Sequence, residues 1–229
     1  MPTTLAPPGR DSIPFEHHGA AEAPFIEATM PDLRFDPSQA VTFDLTHGLV
    51  HLEGAPSRVL VPADALVALA RAAGPEAASA FGRSLGEAMG RRVATRLASV
   101  EGASAATIEA VVEHLGGELS LLGLGSLGLE RWGRAMVLVV DQSPLGAGGD
   151  ALLETALAAA VEGTAGRSAR ALLLGREAVR ARFLIGSQAG VEKVRGWLGE
   201  GLSWGDALVR LHAPGGAPEP AAASDGGEA

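Results

Sequence analysis

Small residues stand at every fourth position between residues 78 and 94, and they restrict how this segment can pack. An α-helix has about 3.6 residues per turn, so residues four apart form one nearly straight stripe along its surface. Each Gly inside a helix costs about 1 kcal/mol relative to Ala, and close approach of another backbone would offset that cost. We therefore predict a half-buried helix with one flat side, suited to close packing or dimerisation. The stripe consists of Ala78, Gly82, Gly86, Gly90 and Ala94.

The other faces of the same helix carry basic and apolar side chains. Arg91, Arg92 and Arg96 form a small basic patch. Two interpretations fit this patch: a solvated helix face, or a contact with an acidic partner or an anionic ligand. The neighbouring apolar stripe faces the predicted core. It consists of Phe81, Leu85, Met89, Val93 and Leu97.

The distribution of charge argues against a nucleic-acid-binding protein. The 229-residue chain has a net charge of −9, of which residues 1–40 contribute −4 and residues 213–229 contribute −3. Residues 41–212 are therefore nearly neutral, at −2, and lack the basic surface that phosphate backbones require. Apolar residues make up 47% of the chain, enough for the core of one domain, and the absence of Cys excludes disulfides and thiolate chemistry.

We divide the chain into a disordered acidic N-terminal extension (1–40), an α+β domain (41–212) and a disordered C-terminal tail (213–229). Residues 24–35 are more apolar than the rest of the extension, and they either dock a partner or form a strand that packs on the core. The chain starts without the order of a signal peptide and has no apolar run of membrane-spanning length, so we expect a cytoplasmic protein. The docking candidates are Phe25, Ile26, Met30 and Leu33.

Periodicity and turn residues predict helices that flank a small antiparallel sheet. Ser187 and the pair Gly116-Gly117 mark a helix start and a helix end, respectively. The predicted helices are 64–73, 75–99, 105–115 (capped by Ser104), 150–166, a helix opening at 187, and 203–211. The predicted strands are 41–45, 49–52, 58–61, 118–124, 127–132, 135–141, 169–174 and 179–185, with turns at Gly125-Ser126, Gly133-Arg134 and Gly175-Arg176.

One glycine motif matches a dinucleotide-binding fingerprint. Gly123, Gly125 and Gly128 have the G-x-G-x-x-G spacing, and Asp141 follows at about the distance of a ribose-binding acid. A parallel crossover needs about a dozen residues, usually a helix, and only residues 129–134 are available. The motif therefore favours hairpin glycines over a cofactor site.

A second motif matches the nucleophile elbow of hydrolases. Residues 82–86 have the G-x-S-x-G pattern with Ser84 at its centre, and Asp141 or Asp150 followed by His212 would complete a triad. The elbow must follow a buried strand, whereas the residues before Ser84 are helical and rich in Ala. A serine hydrolase is therefore a minor alternative.

The histidines do not predict a metal site. His47 and His51 lie in a strand–turn region, while Glu109, Glu113 and His114 fit a solvated helix face. We therefore predict no catalytic residue, no metal and no cofactor.

Four segments resemble the 4-vinyl-reductase-type domain, which is related to subunits of the vesicle-tethering (TRAPP) complexes. They are the entry segment at residues 59–66, the Gly-spaced helix at 74–90, the later helix at 158–166 and the closing hairpin at 173–186. The resemblance covers roughly residues 57–200. This chain lacks the cysteines that many such domains carry near that hairpin, so no metal or thiol role is carried over.

The resemblance implies an α+β fold that dimerises through helices. Some members of the family sense small molecules in an apolar pocket, and the vesicle-tethering relatives act as scaffolds and regulators of small GTPases. Our first hypothesis is a non-enzymatic interaction module, a homodimer whose partner is a small GTPase or another signalling protein. The second hypothesis is a sensor with an aliphatic pocket for a small apolar ligand, and the third is the Ser84 hydrolase.

Overall fold

Helices cover both faces of a four-stranded antiparallel sheet in the computed structural model, which describes residues 40–52, 58–101 and 107–212. The α+β architecture predicted from the sequence is therefore confirmed. The helices are α1 (Ala63–Ala73), α2 (Pro75–Glu101), α3 (Ile108–Leu121), α4 (Asp150–Ala165), α5 (Gln188–Gly199) and α6 (Trp204–His212). The strands are β1 (Val41–Asp44), β2 (Leu49–Leu52), β3 (Ser126–Trp132), β4 (Ala135–Asp141), β5 (Arg170–Glu177) and β6 (Arg180–Gly186).

The four-stranded sheet has the order β3-β4-β6-β5, so β4 and β6 are central. On β4, Leu138 and Val140 pack with residues of α2, α3 and α4, whereas Val137 and Val139 pack with α5 and α6. Because both faces are covered, this strand is apolar at almost every position instead of alternating with polar residues.

The two hairpins of the sheet turn at different kinds of residue. The β3–β4 turn lies at Gly133-Arg134, as predicted, and Gly133 has a positive φ of 60°. The predicted β5–β6 turn at Gly175-Arg176 is wrong, because the strand pairing continues to Glu177. Gly175 instead marks a register irregularity within β5, and the chain turns at the next two residues, 178 and 179.

Helix α3 does not end at Gly116-Gly117 as predicted but continues to Leu121. Leu115, Glu118 and Leu119 are completely buried, and this packing outweighs the cost of two helical glycines. The helix is capped by Thr107, whose side chain accepts a hydrogen bond from the amide of residue 110 at 3.2 Å. The predicted cap, Ser104, lies outside the described residues.

The strand predicted at 118–124 is therefore wrong, since most of it belongs to α3. Gly123 and Gly125 have positive φ values of 68° and 112° and connect α3 to β3. They are not hairpin glycines, and the following β3–β4 pair is antiparallel. The dinucleotide fingerprint consequently lacks both the preceding strand and the parallel crossover that it requires.

The N-terminal part of the described chain packs sparsely. Strands β1 and β2 form a separate two-stranded antiparallel sheet, and none of the residues of α1 is buried. The third strand predicted at 58–61 is wrong: Arg58 makes one bridge to Val50, with its amide 2.7 Å from the carbonyl oxygen. The disorder predicted for 1–40 and 213–229 falls outside the described residues, except at Ala40, which is buried. The predicted docking residues also lie outside the described residues: Phe25, Ile26, Met30 and Leu33.

The small-residue stripe of α2 lies directly against α4 of the same chain. A Cβ atom added to Gly86 would stand under 3.0 Å from the carbonyl oxygen of Ala156. One added to Gly90 would lie 3.1 Å from the Cα of Gly163. The backbones therefore meet without side chains between them, and α4 occupies the face that a dimer through this stripe would need. Gly82, Gly86 and Gly90 are buried, while Ala78 and Ala94 at the ends are half-buried.

Candidate functional site

One carboxylate lies completely buried between α2 and α3. Glu118 has 0% of its side chain exposed, and two arginines one turn apart on α2 reach it. The Nε of Arg92 donates to Oε2 at 2.7 Å, and a terminal nitrogen of Arg96 lies 2.6 Å from Oε1. Both carboxylate oxygens are therefore engaged by guanidinium groups.

A third guanidinium, that of Arg58, lies in the field of this ion pair. Burial lowers the pKa of Arg58, the charge of Arg92 lowers it further, and Glu118 partly offsets both effects. Its Nε is buried and has no hydrogen-bond partner. We call Arg58, Arg92, Arg96 and Glu118 the arginine–glutamate cluster. Two of these guanidinium groups contact Glu118, and that of Arg58 interacts with it only at longer range.

The chemistry of the cluster suits binding rather than proton transfer. Arginine stays protonated at ordinary pH and presents planar donors that match anionic groups. His114 lies one turn before Glu118 on α3 and is 7% exposed. No group of three His, Cys, Asp or Glu residues suited to a metal ion occurs in the part of the chain that the structure describes.

The predicted basic patch on α2 is not a single exposed surface. The Arg91 side chain is 71% exposed and lies 4.0 Å from Glu87. Arg92 and Arg96 are only 13% and 22% exposed, because they turn towards Glu118. A contact between Arg91 and a partner stays a prediction. Arg92 and Arg96 are instead paired with Glu118 inside the protein.

The structure does not assemble the predicted hydrolase site. Ser84 is solvent-exposed and lies in the middle of helix α2. A nucleophile elbow instead needs a turn between a strand and a helix. Both ring nitrogens of His212 are engaged: Nε2 accepts from the amide of Arg134 at 3.2 Å, and Nδ1 donates to the Leu208 carbonyl at 2.7 Å. His212 therefore anchors the end of α6 to the β3–β4 turn.

The two acids considered for that triad form ion pairs on the sheet and on α4. Asp141 accepts hydrogen bonds from Nε and from a terminal nitrogen of Arg180, and this contact lowers the pKa of Asp141. Asp150 accepts from Nε of Arg176 at 3.0 Å, with both side chains largely buried. Each acid therefore joins two elements of the fold.

Two apolar grooves lie on the sheet away from the arginine–glutamate cluster. The first, of about 330 Å³, runs between the β3–β4 turn and α6, and it is at the lower end of the range for ligand pockets. The second, of about 280 Å³, is lined in part by Ile108, Leu129 and Met136. Neither is lined by a residue of the cluster. The first groove is lined by Trp132, Gly133, Leu208, Val209 and His212.

Sequence analysis missed Glu118 because it placed this residue on a strand. The available signal was the position of Glu118 between Leu115 and Leu119, an apolar pair at helical spacing. Arg58 carried no local signal, since its place beside α2 and α3 depends on tertiary structure.

Helices of membrane-spanning length and hydropathy are absent from residues 40–52, 58–101 and 107–212. No protein-family model matches the sequence, and the comparison with curated proteins found no match. Among solved structures, the chain is similar to the phenol-responsive sensory domain of the transcription activator PoxR, crystallised with phenol. The TM-score is 0.51 at 17% identity, and the match covers 82% of this chain and 99% of that chain. At 17% sequence identity, this similarity concerns the fold alone.

Proposed function

We propose that this domain binds a small molecule and acts as a sensory module. The observation that carries the proposal is the similarity in fold to almost the whole of a sensory domain that was crystallised with phenol. The resemblance to 4-vinyl-reductase-type domains points the same way and stays a prediction.

The arginine–glutamate cluster supports the same proposal. Charged groups inside a domain cost several kcal/mol each unless they are paired. A pocket that recognises a small molecule needs a few fixed polar groups within apolar surroundings. Arg58, Arg92 and Glu118 supply such groups beside the buried residues of α2 and α3.

A thermal-shift screen tests the proposal with phenol, benzoate, benzamide, hexanoate, hexanamide and hexanol as probes. A compound at about 100 times its Kd should stabilise the folded state by about 2.7 kcal/mol, or about 5–10 °C in Tm. Mass spectrometry of the denatured protein, purified from its native host, should also release a bound molecule. Glu109→Gln, on the same helix as Glu118, removes an exposed ion pair with Arg131 of β3 and should keep the shift. The absence of both a Tm shift and a released molecule would contradict the proposal.

A homodimer is the second candidate, and the exposed apolar residues near the N-terminus favour it. Eight of the eleven large apolar side chains that are exposed among the described residues lie between positions 43 and 81. These side chains are 40–87% exposed, and a standard interface takes about 800 Å² from each partner. A second copy would cover the same residues on both chains. These residues are Phe43, Leu45, Leu49, Val59, Leu60, Val61, Leu69 and Phe81.

Light scattering coupled to size exclusion should give twice the 23.2 kDa mass of one chain. The double substitution Leu60→Asp, Leu69→Asp should shift the protein to a monomer by burying charge in the interface. The control is Val209→Asp on α6. Val209 is 68% exposed but is not one of the eight residues, so the dimer should persist. A wild-type monomer at high concentration, or a dimer unaffected by the double substitution, would refute this candidate.

A further inference from the structure

The charges of the arginine–glutamate cluster do not balance within the described residues. Glu118 offers one negative charge, and its two oxygens are already contacted by Arg92 and Arg96. Arg58 forms no ion pair with a described acid, and its buried Nε has no hydrogen-bond partner. An unpaired donor of this kind is unfavourable in a folded protein and calls for an acceptor.

We propose that Arg58 is the anchor for a small monocarboxylate ligand, whose carboxylate accepts hydrogen bonds from the Arg58 guanidinium. This inference rests on the proposed sensory function and names its ligand class. The guanidinium presents parallel N–H groups at the spacing of two carboxylate oxygens, so the pairing is geometrically specific. The carboxylate would also relieve the repulsion between Arg58 and Arg92.

The cluster favours an anion over a neutral ligand. Its four side chains carry three positive charges and one negative charge, and Arg58 is the guanidinium that does not contact Glu118. A neutral alcohol or amide can accept a hydrogen bond but cannot offset the charge of Arg58. Met89, Val93 and Leu115 on α2 and α3 are completely buried in the core, so the cluster specifies the charged end of the ligand.

The test measures Tm against benzoate and hexanoate, with benzamide and hexanamide as neutral isosteres and inorganic phosphate as a competing anion, at constant ionic strength. We expect the carboxylates to raise the Tm and the amides and phosphate to leave it unchanged. Arg58→Met should weaken the carboxylate at least about thirtyfold. Arg58→Lys should bind it with intermediate strength, because it keeps the charge and loses the planar donors.

The same variants without ligand distinguish an anchor from a structural residue. Arg58→Met should raise the Tm of the unliganded protein by about 2–4 °C, because a charge without a partner is removed. Arg176→Met is the matched control: its guanidinium is paired with Asp150, so its loss should lower the Tm and leave carboxylate affinity unchanged.

Three results would overturn the inference: no carboxylate raises the Tm, the amides or phosphate act as strongly, or Arg58→Met binds as the wild type does. Stabilisation by phenol or an amide alone would overturn the carboxylate assignment and leave the sensory function standing. The sensory function itself fails only when no probe and no released molecule is found.

Discussion

Replacing Glu118 with Gln is expected to lower the free energy of unfolding by about 3 kcal/mol. The glutamine keeps the size of the side chain but removes the negative charge that Arg92 and Arg96 share in the interior. Two largely buried guanidinium groups would then lack a counterion, and their desolvation would no longer be offset. Urea unfolding followed by circular dichroism and by the fluorescence of the three Trp residues measures the change.

The control for this substitution lies on the same helix. Glu109 pairs with Arg131, but the two side chains are 61% and 60% exposed. Because solvent screens such pairs, Glu109→Gln should change the stability by at most about 1 kcal/mol. Equal effects of the two substitutions would show that burial of Glu118 does not determine its contribution.

Replacing Gly86 with Leu is expected to destabilise the protein by about 3 kcal/mol, the upper end of the range for overpacking. The first carbon of the new side chain would already stand under 3.0 Å from the backbone of α4 at Ala156. A rotamer change cannot relieve a contact with backbone, so α2 and α4 would have to move apart. Thermal and urea unfolding measure the loss, and Gly86→Ala should show a smaller loss of about 1–2 kcal/mol.

Gly196 provides the matched control, because it also lies inside a helix but faces open space. An added Cβ at this position of α5 would meet no atom within 4 Å. Gly196→Ala should therefore stabilise the protein by about 0.5–1 kcal/mol, through the lower entropy of the unfolded chain. If Gly86→Ala also stabilised the protein, the close contact between α2 and α4 would not exist in solution.

The sequence allowed prediction of those features that local spacing determines. The stripe from Gly82 to Gly90 indicated a flat helix face because helical periodicity is a property of a few adjacent turns. The cap at Ser187 and the two-residue turn at Gly133-Arg134 were likewise predicted, since both depend on residues close in sequence. The identity of the opposing helix, α4, was set by tertiary packing.

Features that depend on distant contacts could not be predicted. Gly116-Gly117 locally favours a helix end, but burial of Leu119 against the core carries α3 onward and places Glu118 beside α2. The β5–β6 turn falls at Ala178, which adopts a positive φ of 47° although nothing in its side chain favours that conformation. The same limit explains why Arg58 was not recognised as part of the candidate site.

The direct backbone contact between α2 and α4 has a mechanical consequence. Side chains between helices usually absorb small displacements by changing rotamer, but at Gly86, Gly90 and Gly163 there is none to do so. A displacement of α2 towards α4 near Arg92 should therefore move α4 as well, because the two backbones are in direct contact. Helix α4 in turn packs on the sheet, where the side chain of Glu154 accepts from the amide of Leu173 at 3.1 Å. The α2–α4 contact and this hydrogen bond therefore connect the helix that carries Arg92 to β5, at the opposite edge of the sheet from β3.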